Sequence, residues 1–153
     1  MKVKLDDLME PFEFANESQP YFLNRSTGEI HLIPEDFQIF GDDDDFLEND
    51  LPDWEKEFVP IYKDIKENPD NYIAFPDQFD INMYSIMERF TLSLKDTKMR
   101  DVIYHAMKGS GAFSRFRDSL DRFGITDEWY KYKDQALREL AVVWCRGNDI
   151  EYY

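Results

Sequence analysis

The spacing of hydrophobic residues divides the chain into a first part with short β-prone runs and a second part with helical repeats. Two such runs, Tyr21–Leu23 and Glu29–Ile33, flank the turn sequence Asn-Arg-Ser-Thr-Gly-Glu. Gly28 can take the positive φ that closes a four-residue hairpin turn, and Asn24 can bond its own backbone. The pattern therefore predicts an antiparallel hairpin, with Phe37–Phe40 as a candidate third strand.

The stretches around this hairpin carry weaker patterns. Leu5, Leu8, Met9 and Phe12 recur at helical spacing, and Pro11 makes that helix short or broken. Gly41–Asp53 is predicted as a turn or loop, since four adjacent aspartates repel one another and prefer water. Two prolines bound Asn68–Gln78, which is predicted to be irregular.

From Pro52 onward the hydrophobic residues recur with a period of about 3.6, which predicts amphipathic helices. Pro60 lies inside the first of them and kinks it or splits it in two. Predicted helix starts are Asp80, Asp96 or Thr97, and Thr126, and predicted glycine ends are Gly124 and Gly147. The inward-facing positions, helix by helix, are Trp54, Phe58, Ile61, Tyr62 and Ile65; Met83, Ile86, Met87, Phe90 and Leu94; Met99, Val102, Ile103 and Ala106; Phe113, Phe116 and Leu120; Trp129, Tyr132, Ala136, Leu140 and Val143.

These elements predict an α+β fold, with a small N-terminal antiparallel β-hairpin or sheet and a C-terminal bundle of four to five helices. The 153 residues suit one domain with a hydrophobic core. We expect a single domain over 1–153, made of an acidic α/β-hairpin subregion (1–50) and a helical subregion (51–153). Ile150–Tyr153 is β-prone and could pair with the hairpin edge.

The charge is negative and uneven. The chain has 33 acidic and 18 basic residues, for a net charge of −15, and residues 1–80 hold 22 of the acidic but 6 of the basic ones. Such a charge repels nucleic acid and anionic membranes, and it permits a basic protein partner. No apolar run approaches a membrane span, and the N-terminus does not resemble a signal peptide. Cys145 is the sole cysteine, so no internal disulfide forms, and the sequence is read as that of a cytoplasmic protein.

Few residues suggest catalysis or metal binding. A calcium loop starting at Asp42 would need glycine at position six and glutamate at position twelve, where the chain has Leu47 and Asp53. Cys145 lies near a helix C-terminus, which disfavours a thiolate. His31 and His105 have no nearby nucleophile or triad partner. The sequence therefore predicts no catalytic residue, no metal ligand and no cofactor.

The stretch "HAMKGSGAFSRFRDSL" from His105 to Leu120 is the one candidate ligand site. Lys108, Ser110, Arg115, Arg117 and Arg122 surround a glycine turn before a helix, as in a phosphate cradle or a DNA-reading helix-turn-helix. The Walker order of residues is absent, because a helix and not a strand precedes the glycines.

A purely structural interpretation accounts for much of the same stretch. Lys108 complements a helix C-terminus, Gly109 ends that helix at positive φ, and Ser110 caps the next helix. Asp118 and Asp121 lie within reach of Arg115 and Arg117 and would partly neutralise the basic face. Capping accounts for Lys108 to Gly111 and core packing for Phe113 and Phe116, but neither requires arginine at both 115 and 117.

The C-terminal stretch resembles a bacterial family known as uncharacterised protein family 0158. The resemblance rests on a Gly-Ala-Phe-x-Arg-Phe-x-Asp segment, the Trp-Tyr pair 129–130 and a helix that ends at Trp144; the segment's residues are Gly111, Ala112, Phe113, Arg115, Phe116 and Asp118. "YFLNRSTGEI" and "NPDNYIAFP" resemble the family's hairpin and linker. Pro60 and the long aspartate run depart from its pattern. The resemblance implies no activity and supplies no catalytic residues.

The sequence therefore predicts a non-enzymatic, acidic cytosolic protein that acts through protein–protein interaction. Its alternative is phosphate-ligand or nucleic-acid binding through the corner at residues 108–122. A third possibility is an enzyme that uses buried carboxylates, which would require a deep pocket lined by two or more of them.

Overall fold

A computed structural model describes residues 1–15 and 20–153, without the side chains of Gln38 and Phe40. The chain forms two compact units. The sheet unit comprises Met1–Ile81 and Trp144–Tyr153, and the helical unit comprises Asn82–Val143. The prediction of one domain over 1–153, with subregions 1–50 and 51–153, stays a prediction.

The predicted hairpin forms the centre of the sheet unit. Strands β2 (Tyr21–Asn24) and β3 (Ile30–Leu32) pair antiparallel, with Phe22 opposite His31. Gly28 has φ +78°, and the side-chain Oδ1 of Asn24 accepts hydrogen bonds from the turn amides of residues 26 and 27 at 2.8 and 3.1 Å. The turn chemistry read from the sequence is confirmed.

The third strand lies elsewhere than predicted. Strand β4 (Tyr72–Ala74) pairs antiparallel with the other edge of β2, in a stretch that was expected to be irregular. Phe37–Phe40 belongs instead to helix α2 (Glu35–Phe40), so its prediction as a strand is wrong. Pro34 precedes that helix with φ −58°, and two carboxylates occupy its first turn. Both features favour a helix start, and Phe37 is fully buried.

The two ends of the chain meet in the same unit. Strand β1 (Lys2–Val3) precedes helix α1 (Leu5–Glu13) and pairs parallel with β5 (Glu151–Tyr152). The C-terminal residues therefore pair with the N-terminus and not with the hairpin edge. Pro11 lies inside α1 without breaking this short helix, and Phe12 packs edge-on against Phe75 and Trp144.

Short helical turns fill the stretch between α2 and β4. A π-helical turn (Phe46–Asp50) and a 3₁₀ helix (Asp53–Phe58) lead into α3 (Val59–Glu67), and a 3₁₀ turn (Pro69–Asn71) follows. The prediction of turn or loop over Gly41–Asp53 is therefore wrong for its second half. Proline is tolerated in a first helical turn, and Pro60 accordingly splits the predicted helix into a 3₁₀ and an α part. Trp54 is 63% exposed, against the expected inward position.

The helical unit contains α4 (Met83–Leu92), α5 (Thr97–Ala106), α6 (Ala112–Phe123) and most of α7 (Thr126–Gly147). Asp96 caps α5 as predicted, since its carboxylate accepts hydrogen bonds from the amides of residues 98 and 99, each at 3.1 Å. Asn82, not Asp80, caps α4 by accepting from the amide of Ser85. Asp80 instead accepts from the backbone of Asp77 in the preceding turn.

Aromatic rings form the centre of the helical unit. Trp129 packs edge-on against Phe90 and Phe116, with ring centroids 5.4 and 5.0 Å apart, and Tyr132 adjoins Phe90 at 5.3 Å. Such pairs add about 0.5–1.5 kcal/mol each beyond their burial. The predicted inward positions Val102, Phe113 and Val143 are exposed instead. These side chains lie on parts of the helix surfaces that the core does not cover.

The two predicted glycine ends differ. Gly124 has φ +67°, and the amide of Ile125 donates to the carbonyl of Leu120 at 3.0 Å, which closes α6 as predicted. Gly147 is the last residue of α7, so the predicted end of this helix is confirmed, but Gly147 does not take the positive φ expected of a glycine that follows a helix. Asp149 takes φ +56° instead, and the amide of Ile150 donates to the carbonyl of Cys145 at 2.8 Å.

The fold is α+β, with a small antiparallel sheet, a two-stranded parallel pair and a mainly helical C-terminal part, as the sequence predicts. Within residues 1–15 and 20–153, none of the helices has the length and apolar content needed to cross a bilayer.

Candidate functional site

The glycine corner between α5 and α6 has a backbone that glycine makes possible. Gly109 and Gly111 both have positive φ, at +75° and +78°. Gly111 occupies the position before α6, and no side chain caps that helix, so the prediction of Ser110 as its cap is wrong. The corner is a sharp left-handed turn between helices.

Arg115 holds this corner together. Its Nε donates to the carbonyl of Ala106 at 2.8 Å, and its two terminal nitrogens donate to the carbonyls of Ser110 and Lys108. Each guanidinium nitrogen thus has a backbone acceptor in the last residue of α5 or in the corner that follows it, where carbonyls lack helical partners. Arg115 performs the role at the α5 C-terminus that the sequence assigned to Lys108, and a phosphate would have to compete for its donors.

The Lys108 ammonium lies elsewhere, over the ring of Tyr104 at 3.9 Å from the centroid. The hydrogen bond with the Tyr104 hydroxyl raises the pKa of Lys108. The lysine is exposed and remains charged throughout the physiological range.

Arg117 and Arg122 extend from α6 into solvent. Within the described part of the chain neither forms an ion pair or a hydrogen bond, and the expected pairing of arginines 115 and 117 with Asp118 and Asp121 does not occur. Asp121 accepts instead from the hydroxyl of Thr126 at 2.8 Å. The structure therefore places the guanidinium of Arg115 against the backbone carbonyls of Lys108 and Ser110. Arg117 and Arg122 do not take part in these contacts. Ligand binding at this corner stays a prediction.

The remaining candidates for chemistry are dispersed. Cys145 is fully buried, and burial raises the pKa of its thiol. The Nε2 of His31 lies 3.6 Å from the carboxylate of Glu29, and His105 bonds the carbonyl of Asp101 on its own helix. Across the described residues, no three His, Cys, Asp or Glu side chains converge as metal ligands would.

A cavity of about 570 Å³ lies within the sheet unit. Strand β2, the end of β3, and helices α2 and α3 surround it. Its described lining is mainly apolar or aromatic, with two charged side chains; the residues are Pro20, Phe22, Ile33, Phe37, Asp42, Tyr62, Ile65, Lys66 and Pro69. Its volume falls within the range of small-molecule pockets.

The charged side chains of this cavity form an ion pair. The ammonium of Lys66 lies 3.5 Å from the carboxylate of Asp42 and 5.4 Å from the ring centroid of Tyr62. The hydrogen bond with the Tyr62 hydroxyl, followed by the charge of Asp42, raises the pKa of Lys66. Gly41 permits this arrangement, because a Cβ there would overlap the Tyr62 hydroxyl.

A buried carboxyl lies on the 3₁₀ helix that precedes α3. Glu55 is 4% exposed, and its Oε2 has no hydrogen-bond partner among the described residues. Burial raises the pKa of Glu55, and a hydrogen bond with Asp36 raises it further. Glu55 does not line the cavity. The described lining of the cavity contains one carboxylate, that of Asp42.

The sequence model of the Uncharacterised protein family (UPF0158) matches residues 1–153. The chain belongs to this family. A UPF0158 protein of Chlamydia trachomatis is 22% identical over 147 residues, which cover 95% of this chain and 40% of that protein. A UPF0158 protein of Pseudomonas aeruginosa is 22% identical over 88 residues, which cover 57% of this chain and 58% of that protein.

A UPF0158 protein of Chlamydia muridarum is 21% identical over 147 residues, again 95% of this chain and 40% of that protein. The aligned residues thus span 40% of the Chlamydia relatives and 58% of the Pseudomonas one. No solved structure matches the chain. The UPF0158 resemblance read from the sequence is confirmed, and the function of the family is unknown.

The cavity was not predicted from the sequence, although several of its walls were. Ile33 lies in the predicted hairpin, and Tyr62 and Ile65 were predicted to face inward. A hydrophobic period identifies which side chains turn inward but not whether they fill the space between elements. The charged pair Asp42–Lys66 joins positions 24 residues apart and has no local signal.

Proposed function

We propose that this UPF0158 protein acts by binding a basic protein partner through the acidic surface of its sheet unit. The surface belongs to residues 35–57, called the acidic segment below, which hold eleven acidic residues and one basic residue. All of the acidic side chains except that of Glu55 are exposed or partly exposed. The observation that carries the proposal is that this charge lies on short helical turns beside an exposed tryptophan.

Buried leucines anchor the acidic segment. Leu47 is 5% exposed and Leu51 is 4% exposed, and both pack in one cluster with Phe37 and Tyr62. The carboxylate of Asp43 accepts hydrogen bonds from the amides of residues 45 and 46 at 3.0 and 3.3 Å. The exposed carboxylates are therefore held on short helical turns, which lowers the entropy lost on binding.

Few of these charges are neutralised within the chain. Among the described residues, the ion pairs of the acidic segment are Lys56 with Asp53 at 3.0 Å and Lys66 with Asp42 at 3.5 Å. Exposed pairs of this kind contribute about 0–1 kcal/mol each and offset little of the field. A basic partner would gain from the remaining carboxylates both in association rate and in specificity.

Trp54 supplies apolar contact within the same surface. Its side chain is 63% exposed although tryptophan is a residue that proteins usually bury. Tryptophan is enriched among the residues that dominate binding energy in protein interfaces. The proposal includes a cytoplasmic location, with which the buried, lone Cys145 is compatible.

The test is selection of binding peptides from a random 12-residue library on the full chain at about 50 mM salt. We expect enriched peptides to carry net positive charge and to lose binding as salt increases. Selection on Asp44→Asn/Glu48→Gln/Asp50→Asn, which removes three exposed charges without a described hydrogen bond, should not enrich them.

A matched control removes three charges from the helical unit instead, as Asp101→Asn/Asp118→Asn/Glu128→Gln. This control should select the same peptides as the unchanged protein. Enrichment of neutral or acidic peptides, or equal enrichment on both triple variants, would contradict the proposal.

A further inference from the structure

We propose that the cavity of the sheet unit receives one bulky apolar side chain of the partner, and that basic residues flank this side chain. The inference rests on the proposed function and adds a second determinant to it. The acidic segment attracts the partner by charge, and the cavity selects it by shape.

The cavity has the walls that an apolar side chain needs. Ile33 and Phe37 are almost fully buried at 2% and 0% exposure, whereas Phe22 and Ile65 are partly exposed. At about 570 Å³, the space is of the size that binds small organic groups. Contact with the partly exposed Phe22 and Ile65 removes apolar surface from water on both molecules, whereas Ile33 and Phe37 form the buried floor beneath them.

The acidic segment reaches this cavity directly. Asp42 is the first of four adjacent aspartates and is also a lining residue, with a side chain that is 93% exposed. An occupant is therefore bordered by the strongest negative charge of the chain. Charge complementarity favours cationic residues on either side of the side chain that enters.

Lys66 is the one basic side chain in the described lining, and its role separates two classes of occupant. Its ammonium already lies 3.5 Å from the carboxylate of Asp42, so part of its charge is offset. For an anionic amphiphile such as a fatty acid, Lys66 would be the attracting group against an otherwise repelling surface. For a basic partner, Lys66 opposes binding, and its removal exposes the carboxylate of Asp42.

The experiment measures fluorescence anisotropy of a labelled peptide from the selection above, with the full chain. We expect the enriched peptides to share one bulky apolar position among basic residues, and alanine at that position to weaken binding at least tenfold. Ile65→Trp, which fills the cavity, should weaken binding at least tenfold. Val143→Trp, on an exposed position of the helical unit, should change it less than twofold.

Two further variants keep the test independent of folding defects. Ile65→Ala removes apolar wall without adding bulk and should weaken binding about threefold or more. Lys66→Gln, at an exposed position, should tighten binding about two- to fivefold at low salt.

Weaker peptide binding by Lys66→Gln, or saturable binding of a fluorescent fatty acid that the selected peptide does not displace, would overturn the inference. Basic peptides without a shared apolar position, or unchanged binding by both variants at position 65, would overturn it while leaving the proposed function standing. Failure to enrich basic peptides at all would instead overturn the proposed function.

Discussion

Replacing Arg115 with alanine removes three hydrogen bonds at the corner between α5 and α6. Its guanidinium donates to the carbonyls of Ala106, Lys108 and Ser110. Charge-assisted bonds contribute about 1.5–3 kcal/mol each when buried, but this side chain is exposed and water replaces part of the loss. At about 0.5–1 kcal/mol for each bond, Arg115→Ala should lower the free energy of unfolding by about 2 kcal/mol.

Urea denaturation followed by circular dichroism measures this change. With a slope of about 2 kcal/mol/M, the midpoint should fall by about 1 M. Hydrogen exchange adds a local readout, because the amides at the end of α5 should exchange faster in the variant. Arg115→Lys should recover part of the loss, since an ammonium cannot reproduce the planar fork.

Arg117→Ala is the matched control, two positions along the same exposed helix. Arg117 forms no hydrogen bond or ion pair within the described chain, so its loss should change stability by less than about 0.5 kcal/mol. Equal effects of the two substitutions would refute the reasoning, because the bonds of Arg115 would then contribute nothing measurable.

Three further predictions concern single positions. Gly124→Ala should lower the free energy of unfolding by about 1–2 kcal/mol in urea denaturation, because φ is +67° at this position. Gly147→Ala should raise it by up to about 1 kcal/mol, because Gly147 is helical and a Cβ there meets no other atom. The opposite order would contradict the backbone assignment. Gly41→Ala should cost about 1–3 kcal/mol by the same assay, since a Cβ overlaps Tyr62, and a neutral effect would show that the contact relaxes freely. Burial raises the pKa of Glu55, so its charged form destabilises the fold at pH 7, and Glu55→Gln should be more stable than the unchanged protein there. This advantage should disappear as the pH falls through the raised pKa towards 4.5, because the carboxyl is then protonated in both the folded and the unfolded state. A difference in stability that does not depend on pH would contradict the assignment.

Local chemistry made several elements predictable from the sequence. The hairpin depends on Asn24 and Gly28, whose turn geometry is specified within six residues. Asp96 and Gly124 mark helix ends by capping rules that are also local. These predictions succeeded because the interactions that decide them lie within one turn of the chain.

Long-range contacts decided the elements that were predicted wrongly. The run Phe37–Phe40 is β-prone, but it forms a helix in which Phe37 is buried. The third strand is β4 instead, which begins 48 residues after the end of β2. Gly147 ends α7 as its residue type indicates, but the positive φ that turns the chain falls at Asp149, and this turn places β5 beside β1.

The same limit of sequence-based prediction applies to the candidate ligand site at the corner between α5 and α6. Spacing identified Lys108, Ser110 and Arg115 as neighbours, but not that the guanidinium of Arg115 would bond the backbone. The cavity beside Asp42 and Lys66 depends on four elements packing with space between them. Neither outcome follows from periodicity or from residue type.

The central claim is that charge on the acidic segment binds a basic partner. Its most direct test is the salt dependence of the Kd for the selected basic peptide, measured with the unchanged protein and with Asp44→Asn/Glu48→Gln/Asp50→Asn. We predict that affinity falls steadily from about 50 to 200 mM salt, and that the variant binds more weakly with a shallower salt dependence. Identical affinities and slopes for the two proteins would contradict the account.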